Sequence, residues 1–308
     1  MDDQHSYLLN GLLGRQFSLG RIVRFRQVPR GRQAVTYEVL TGEHREYLVH
    51  LFPGDRAAEQ LNFAADAVNA LDDNRFSVVP FLKSGGGQFT AEGPQGTRLM
   101  VSLGTSGGAL SPEHYTDHDI SQVGLRLGWL HRLLREQLGE PVVDAPLADR
   151  VTEALKNGHG SLGTIAGEGG ERGGADALLE MLRLPAAQGY VHGDFQTPAL
   201  LHDDDHQLRT IVDWSLLHRG SPLEDLVDAF LALCRDREGR VIPTRGRALL
   251  ESYDTLLPIR RIPWTPAVAS WLGQRILDAA HRTRPLPDGF VTYLRRPENL
   301  SAALASCI

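Results

Sequence analysis

The stretch Tyr190-Val191-His192-Gly193-Asp194-Phe195-Gln196-Thr197-Pro198-Ala199-Leu200-Leu201 decides the reading of this chain. A polar turn, Asp203-Asp204-Asp205-His206-Gln207, follows it, and then a strand, Leu208-Arg209-Thr210-Ile211-Val212-Asp213-Trp214. The sequence therefore predicts a short hairpin with one carboxylate at each end, Asp194 and Asp213, placed to converge on one point. His192 and Gly193 shape the tight turn that presents Asp194. Transfer of a phosphoryl group from a nucleotide to a hydroxyl needs such a pair. One carboxylate orients the hydroxyl and accepts its proton, while the other holds Mg²⁺ against the phosphates. His-Gly-Asp alone is a weak signal; joined to Ile211-Val212-Asp213-Trp214 at this distance it is much stronger.

Upstream, the pattern predicts a small antiparallel sheet with one helix. Arg21–Arg26, Ala34–Leu40 and Glu46–Phe52 alternate or run apolar as strands do, with Pro29–Gln33 and Thr41–Glu43 as turns. Pro53-Gly54 ends the third strand, and Asp55 is expected to cap an alanine-rich helix through Leu71. Further strands are expected around Val78–Phe81 and Leu99–Leu103. The glycines of Gly104–Gly108 mark a hinge. Beyond it Asp119–Leu138, Leu223–Arg235, Gly246–Leu256 and Pro266–Arg282 read as helices. The glycine-rich run Asn157–Gly174 lacks the Gly-Lys-Ser/Thr of a nucleotide-binding P-loop and reads as a surface loop. The expected division is 1–103, a nucleotide-covering sheet and helix, and 104–308, a larger, mainly helical body.

Composition narrows the class. The 308 residues are 42% hydrophobic and 23% charged, which excludes wholesale disorder. A net charge of −6 gives no general pull toward nucleic acid or anionic membrane. No long apolar run and no basic leader are present, so a cytoplasmic location is expected, without nucleic-acid or membrane partners. Cys234 and Cys307 are too few for a disulfide scaffold. The cations are nearly all arginine; Lys83 and Lys156 are the only lysines.

On these residues the chain resembles the aminoglycoside phosphotransferase family, the small-molecule branch of the protein-kinase-like fold that includes homoserine and choline kinases. The Pro29-Arg30-Gly31-Arg32 turn is similar to the phosphate-covering loop, and Tyr47–Phe52 to the third strand of the N-lobe. Gly124–His131 is similar to the helix that opens the C-lobe, His192-Gly193-Asp194 to the catalytic loop and Ile211–Trp214 to the metal strand. Gly220–Leu226 is similar to the Gly-x-Pro-x-x-Asp-Leu segment that follows. The resemblance implies an α+β, two-lobed protein-kinase-like fold. It implies ATP or GTP with Mg²⁺ as cofactors and a small hydroxylated acceptor of the aminoglycoside, homoserine, choline or sugar type. Asp194 and His192 are the catalytic-loop residues it points to, the histidine holding the loop through its ring. Arg30, Gly31, Arg32, His50 and Met100 are the nucleotide-side residues, and Asp213 with Gln196 the metal side. Asp225 would tie the catalytic loop or cap the next helix. Tyr253, Trp264, Trp271 and Arg275 are candidates for the acceptor wall.

Departures from the family pattern are equally specific. Its second metal ligand, an asparagine seven residues after the loop histidine, is Ala199 here. The third-strand lysine is replaced by His50, with Arg45 as a stand-in if the register differs. The helix glutamate that pairs with that lysine falls at Ala64, with Glu59 and Asp66 nearby. Arg30 and Arg32 would grip phosphate in compensation. These losses raise a second reading, a catalytically weak relative that binds a nucleotide or metabolite and acts through partners.

Overall fold

A computed structural model describes residues 3–28, 33–141, 146–157, 172–281 and 290–308. Arg30, Gly31 and Arg32, and most of the glycine-rich run, lie outside the described residues. The chain forms two compact units, one of residues 1–110 with 197–217, the other of residues 111–196 with 218–308.

The first unit is built on a five-stranded antiparallel sheet in the order β1 (Ile22–Val28), β2 (Val35–Thr41), β3 (Glu46–Phe52), β5 (Arg98–Leu103), β4 (Ala91–Glu92). Strand alternation sorts its side chains to two faces, because successive residues point to opposite sides. Tyr37, Val39, Tyr47, Val49, Leu99 and Val101 form one buried face. A helix absent from the sequence-based expectation, α1 (Asp3–Phe17), covers it with Leu9, Leu13 and Phe17, spaced four residues apart. On the other face Phe52 and Met100 pack with Leu61 and Ala65 of α2 (Ala58–Asp73) and with Phe89. The sheet thus carries a helix on each face, where one helix was expected. Leu13 is fully buried in the α1 layer. Leu13→Ala is expected to cost about 3 kcal/mol, transfer and cavity together, in chemical denaturation; a loss below about 1 kcal/mol would show that α1 does not close this core.

Two local expectations are corrected. Asp55 does not cap α2; the N-cap is Ala57, with no side-chain hydrogen bond. Val78–Phe81 is not a strand but two isolated bridges, Val78 to Ile211 and Phe81 to Ser102. Pro80, between them, has no N–H to offer a ladder; its carbonyl instead accepts the Leu103 N–H at 3.1 Å. Also in this unit, β6 (Gly108–Ala109) pairs with β8 (Leu200–His202), and β8 with β9 (Leu208–Ile211), giving the expected hairpin that ends at Asp213.

The second unit is mainly helical: α3 (Asp117–Leu138), α4 (Leu147–Asn157), α5 (Arg172–Leu182), α6 (Leu223–Leu233), α7 (Pro243–Asp254), α8 (Trp264–Ala280), α9 (Phe290–Arg295) and α10 (Pro297–Ala305). A small ribbon, β7 (Gly189–Val191) with β10 (His218–Gly220), joins them. A capping box starts α3: Thr116 Oγ1 accepts the Asp119 N–H at 3.2 Å, and the Asp119 carboxylate accepts the Thr116 N–H at 2.8 Å. Gly124 lets α7 approach, since a Cβ there would sit 2.3 Å from the Leu249 carbonyl oxygen. That contact brings His131 of α3 to Tyr253 of α7. α8 is the hub, packing against α4, α5, α6 and α10.

Candidate active site

The loop His192-Gly193-Asp194, expected from the sequence to be catalytic, lies in the second unit, at the end of β7. Gly193 has φ +88°, a left-handed conformation that suits glycine. Asp225, in the first turn of α6, clamps the loop from below. Its carboxylate accepts the His192 N–H at 2.7 Å on Oδ2 and the Gly193 N–H at 3.0 Å on Oδ1. His131 Nε2 lies 3.0 Å from the same Oδ2, and His131 Nδ1 lies 2.8 Å from the Tyr253 hydroxyl. Asp225 is fully buried. Burial alone would raise its pKa, but the hydrogen bond and charge of His131, the charge of His192 and the Gly193 N–H outweigh it and hold the carboxyl below its usual value.

His192 is fully buried. Its ring stands edge-on to Phe195, centroids 5.8 Å apart, and Nδ1 accepts the Asp194 N–H at 3.3 Å. Asp194 is 5% exposed, and its carbonyl accepts the Gln196 N–H at 2.9 Å. The loop is therefore a rigid mount for one nearly buried carboxylate.

Asp213 lies in the first unit. It adopts a left-handed conformation, φ 67° and ψ 52°, at the start of the one-turn 3₁₀ helix Trp214–Leu216. Aspartate tolerates that region better than most residues. The Ser215 hydroxyl donates to Asp213 Oδ1 at 3.2 Å. On the backbone, Val212 N–H is bonded to the Ala199 carbonyl at 2.9 Å, so Ala199 supports the strand end through its main chain. Asp213 shares a pocket with Thr36, His50, Phe52, Ala64, Phe81 and Met100. The walls are mostly apolar, as a pocket for a flat aromatic base requires.

His50 does not present a free ring nitrogen to this pocket. Nδ1 is 3.2 Å from the Thr36 hydroxyl and Nε2 3.2 Å from the Ser102 hydroxyl, so the ring bridges β2, β3 and β5. The ring is thus a cross-strand tie that also lines the pocket. Arg45 is exposed and pairs with Glu43 in the β2–β3 turn. Glu59 and Asp66 are both exposed on α2, whereas Ala64 is buried and lines the pocket. Met100 is buried opposite His50 in the β3–β5 register.

One cation escaped the sequence reading. Arg56, just before α2, donates from Nη2 to the Ser215 carbonyl at 3.0 Å and braces the turn behind Asp213. Three of the acceptor-wall candidates are corrected. Tyr253, Trp271 and Arg275 are buried inside the helical unit, Arg275 at 1% exposure, whereas Trp264 lines an open surface pocket with Arg260, Pro263 and Ser301.

The family model described as "Phosphotransferase enzyme family" matches residues 24–259. The chain belongs to this family. Solved structures share its fold at low identity. An amicoumacin kinase in complex with AMP-PNP and Ca²⁺ aligns over 98% of this chain and 94% of its own, at 14% identity and a TM-score of 0.68. The choline kinase of Streptococcus pneumoniae aligns over 98% and 100%, at 14% identity and 0.65. An aminoglycoside 2'-phosphotransferase in complex with GDP aligns over 100% of both chains, at 14% identity and 0.61. The kinase-like fold, with its antiparallel sheet and helical body, is thereby shown. No curated protein matches the chain by sequence. Among the described residues no helix is long and apolar enough to cross a membrane.

Proposed function

We propose that this member of the family transfers the terminal phosphoryl group of ATP or GTP to a hydroxyl of a small molecule. The observation that carries the reading is the mounting of Asp194, a nearly buried carboxylate on a loop whose backbone N–H groups are held by Asp225 at 2.7 and 3.0 Å. Asp194 would accept the acceptor's hydroxyl proton as that oxygen attacks phosphorus. His192 acts as loop support. The base would enter the pocket that Met100, Phe81 and Phe52 line, with residues 1–103 as the covering lobe.

Mg²⁺ fits the donor set. Among the described residues no group of three or more His, Cys, Asp or Glu side chains forms a preassembled cage. Asp213 instead offers a hard carboxylate at a pocket wall, with Ser215 fixing one of its oxygens. Magnesium is commonly held by one or two carboxylates, phosphates and waters. Gln196, named beside Asp213 from the sequence, belongs to the other unit. Bound at Asp213, the ion would neutralise phosphate charge, and Arg56 would keep the Asp213 turn in place.

The test is thermal stability with ATP and GTP, each with and without Mg²⁺, in wild type and Asp213→Asn. Ligand at about 100 times its Kd adds about 2.7 kcal/mol, a rise of several degrees in a chain of this size. The wild type is expected to show a Mg²⁺-dependent rise that Asp213→Asn loses. No rise with either nucleotide at millimolar concentration overturns the reading and favours a degenerate relative.

A further inference from the structure

We propose that Arg275 is a positioning residue for Asp194, fixing the Gly193–Asp194 peptide from the side opposite Asp225. The inference rests on the reading of Asp194 as the hydroxyl-orienting carboxylate. Arg275 lies on α8, beyond the residues 24–259 that the family pattern covers. It is 1% exposed. Its Nη2 donates to the Gly193 carbonyl at 3.0 Å and lies 3.6 Å from Asp228 Oδ2, while Nη1 lies 3.0 Å from Asp278 Oδ2. The two carboxylates are themselves held. Trp271 Nε1 donates to Asp228 Oδ1 at 2.7 Å, and Gln274 Nε2 to Asp278 Oδ1 at 2.8 Å.

A buried ion network is a poor device for stability, because apolar packing of equal volume is often as good or better. This one has a geometric output. Gly193 has no Cβ, and its φ of +88° leaves several backbone basins within reach. Asp225 holds the N–H of Gly193, and Arg275 holds its carbonyl from the other side of the peptide. That carbonyl belongs to the peptide plane that leads into Asp194, so a rotation there re-aims the carboxylate. Glu224 and Asp194 also face the guanidinium electrostatically. Lysine could supply the charge but not the fork that reaches a carbonyl and two carboxylates together.

The experiment follows the amide signals of Gly193 and Asp194 by NMR, together with their hydrogen exchange, in Arg275→Gln, Arg275→Lys and Trp271→Phe. The Trp271→Phe variant removes a bond to Asp228 from the same network without touching the loop. Both Arg275 variants are expected to shift the Asp194 amide nitrogen, which is bonded to the Gly193 carbonyl carbon, and to speed exchange of both amides at least tenfold. Trp271→Phe should leave them unchanged. If Arg275→Gln does not fold, Arg275→Lys decides. Unchanged amides in the Arg275 variants, or equal loosening in Trp271→Phe, overturn the proposal. The measurement needs no nucleotide, so its failure is distinct from absence of the Mg²⁺-dependent stabilisation.

Discussion

Asp225→Asn is expected to lower the free energy of unfolding by about 3–5 kcal/mol, the range seen when one partner of a buried charged network is removed. Asparagine has one acceptor oxygen where the carboxylate has two. Asp225 serves the N–H groups of His192 and Gly193 on different oxygens, with His131 on one of them. The amide NH₂ of the variant would therefore face a backbone N–H that has no water to turn to. Against a total of about 5–15 kcal/mol for a typical protein, that is a large share. Urea denaturation measures it, and a loss under about 1 kcal/mol would mean the loop is held by other contacts.

The pH dependence has a definite sign. Asp225 has its pKa lowered from 3.8 in the folded protein, so its stabilisation is fully present above that value and disappears as pH falls below it. The difference between wild type and Asp225→Asn should be constant through neutrality and shrink only in acid. Asp228 contributes oppositely. Burial dominates there over the attraction of Arg275 and the Trp271 hydrogen bond, raising the carboxyl from 3.8, so its contribution weakens as pH rises above that value.

The second large effect concerns Asp194. Asp194→Asn should keep the fold, because Asp225 and Arg275 secure the loop through its backbone groups. Phosphoryl transfer should fall about 10²–10⁴-fold, the usual contribution of a general base. Nucleotide-induced stabilisation should persist, since the pocket residues, Asp213 included, belong to the other unit. Single-turnover transfer to an acceptor drawn from a panel of amino alcohols and aminoglycosides reads the first; a thermal shift reads the second. A variant with near wild-type turnover would remove Asp194 from the mechanism.

What the sequence made legible was local. The hairpin between Asp194 and Asp213 could be read because both acids, its turn and its alternating strand lie within a short span. Helix α1 could not. Leu9, Leu13 and Phe17 are spaced for one face, but Gly11 and Gly14 interrupt the run, and only the sheet explains what that face covers. Arg275 was misplaced for a related reason. A helix carrying Gln274, Arg275 and Asp278 looks partly solvated, yet these side chains satisfy one another in the centre of the helical unit. Partnering across long sequence separations is what periodicity does not record.

The tie made by His50 couples position 50 to position 64. Its ring bridges the buried hydroxyls of Thr36 and Ser102, and Ala64 lines the same pocket. A lysine introduced at position 50 would release both hydroxyls and bring an ammonium beside an alanine methyl. A glutamate introduced at position 64 would enter a mostly apolar pocket with His50 already committed to its hydroxyls. Either substitution alone would place a charge in this pocket without the partner that the double substitution would supply, so the two positions are coupled through the pocket they share.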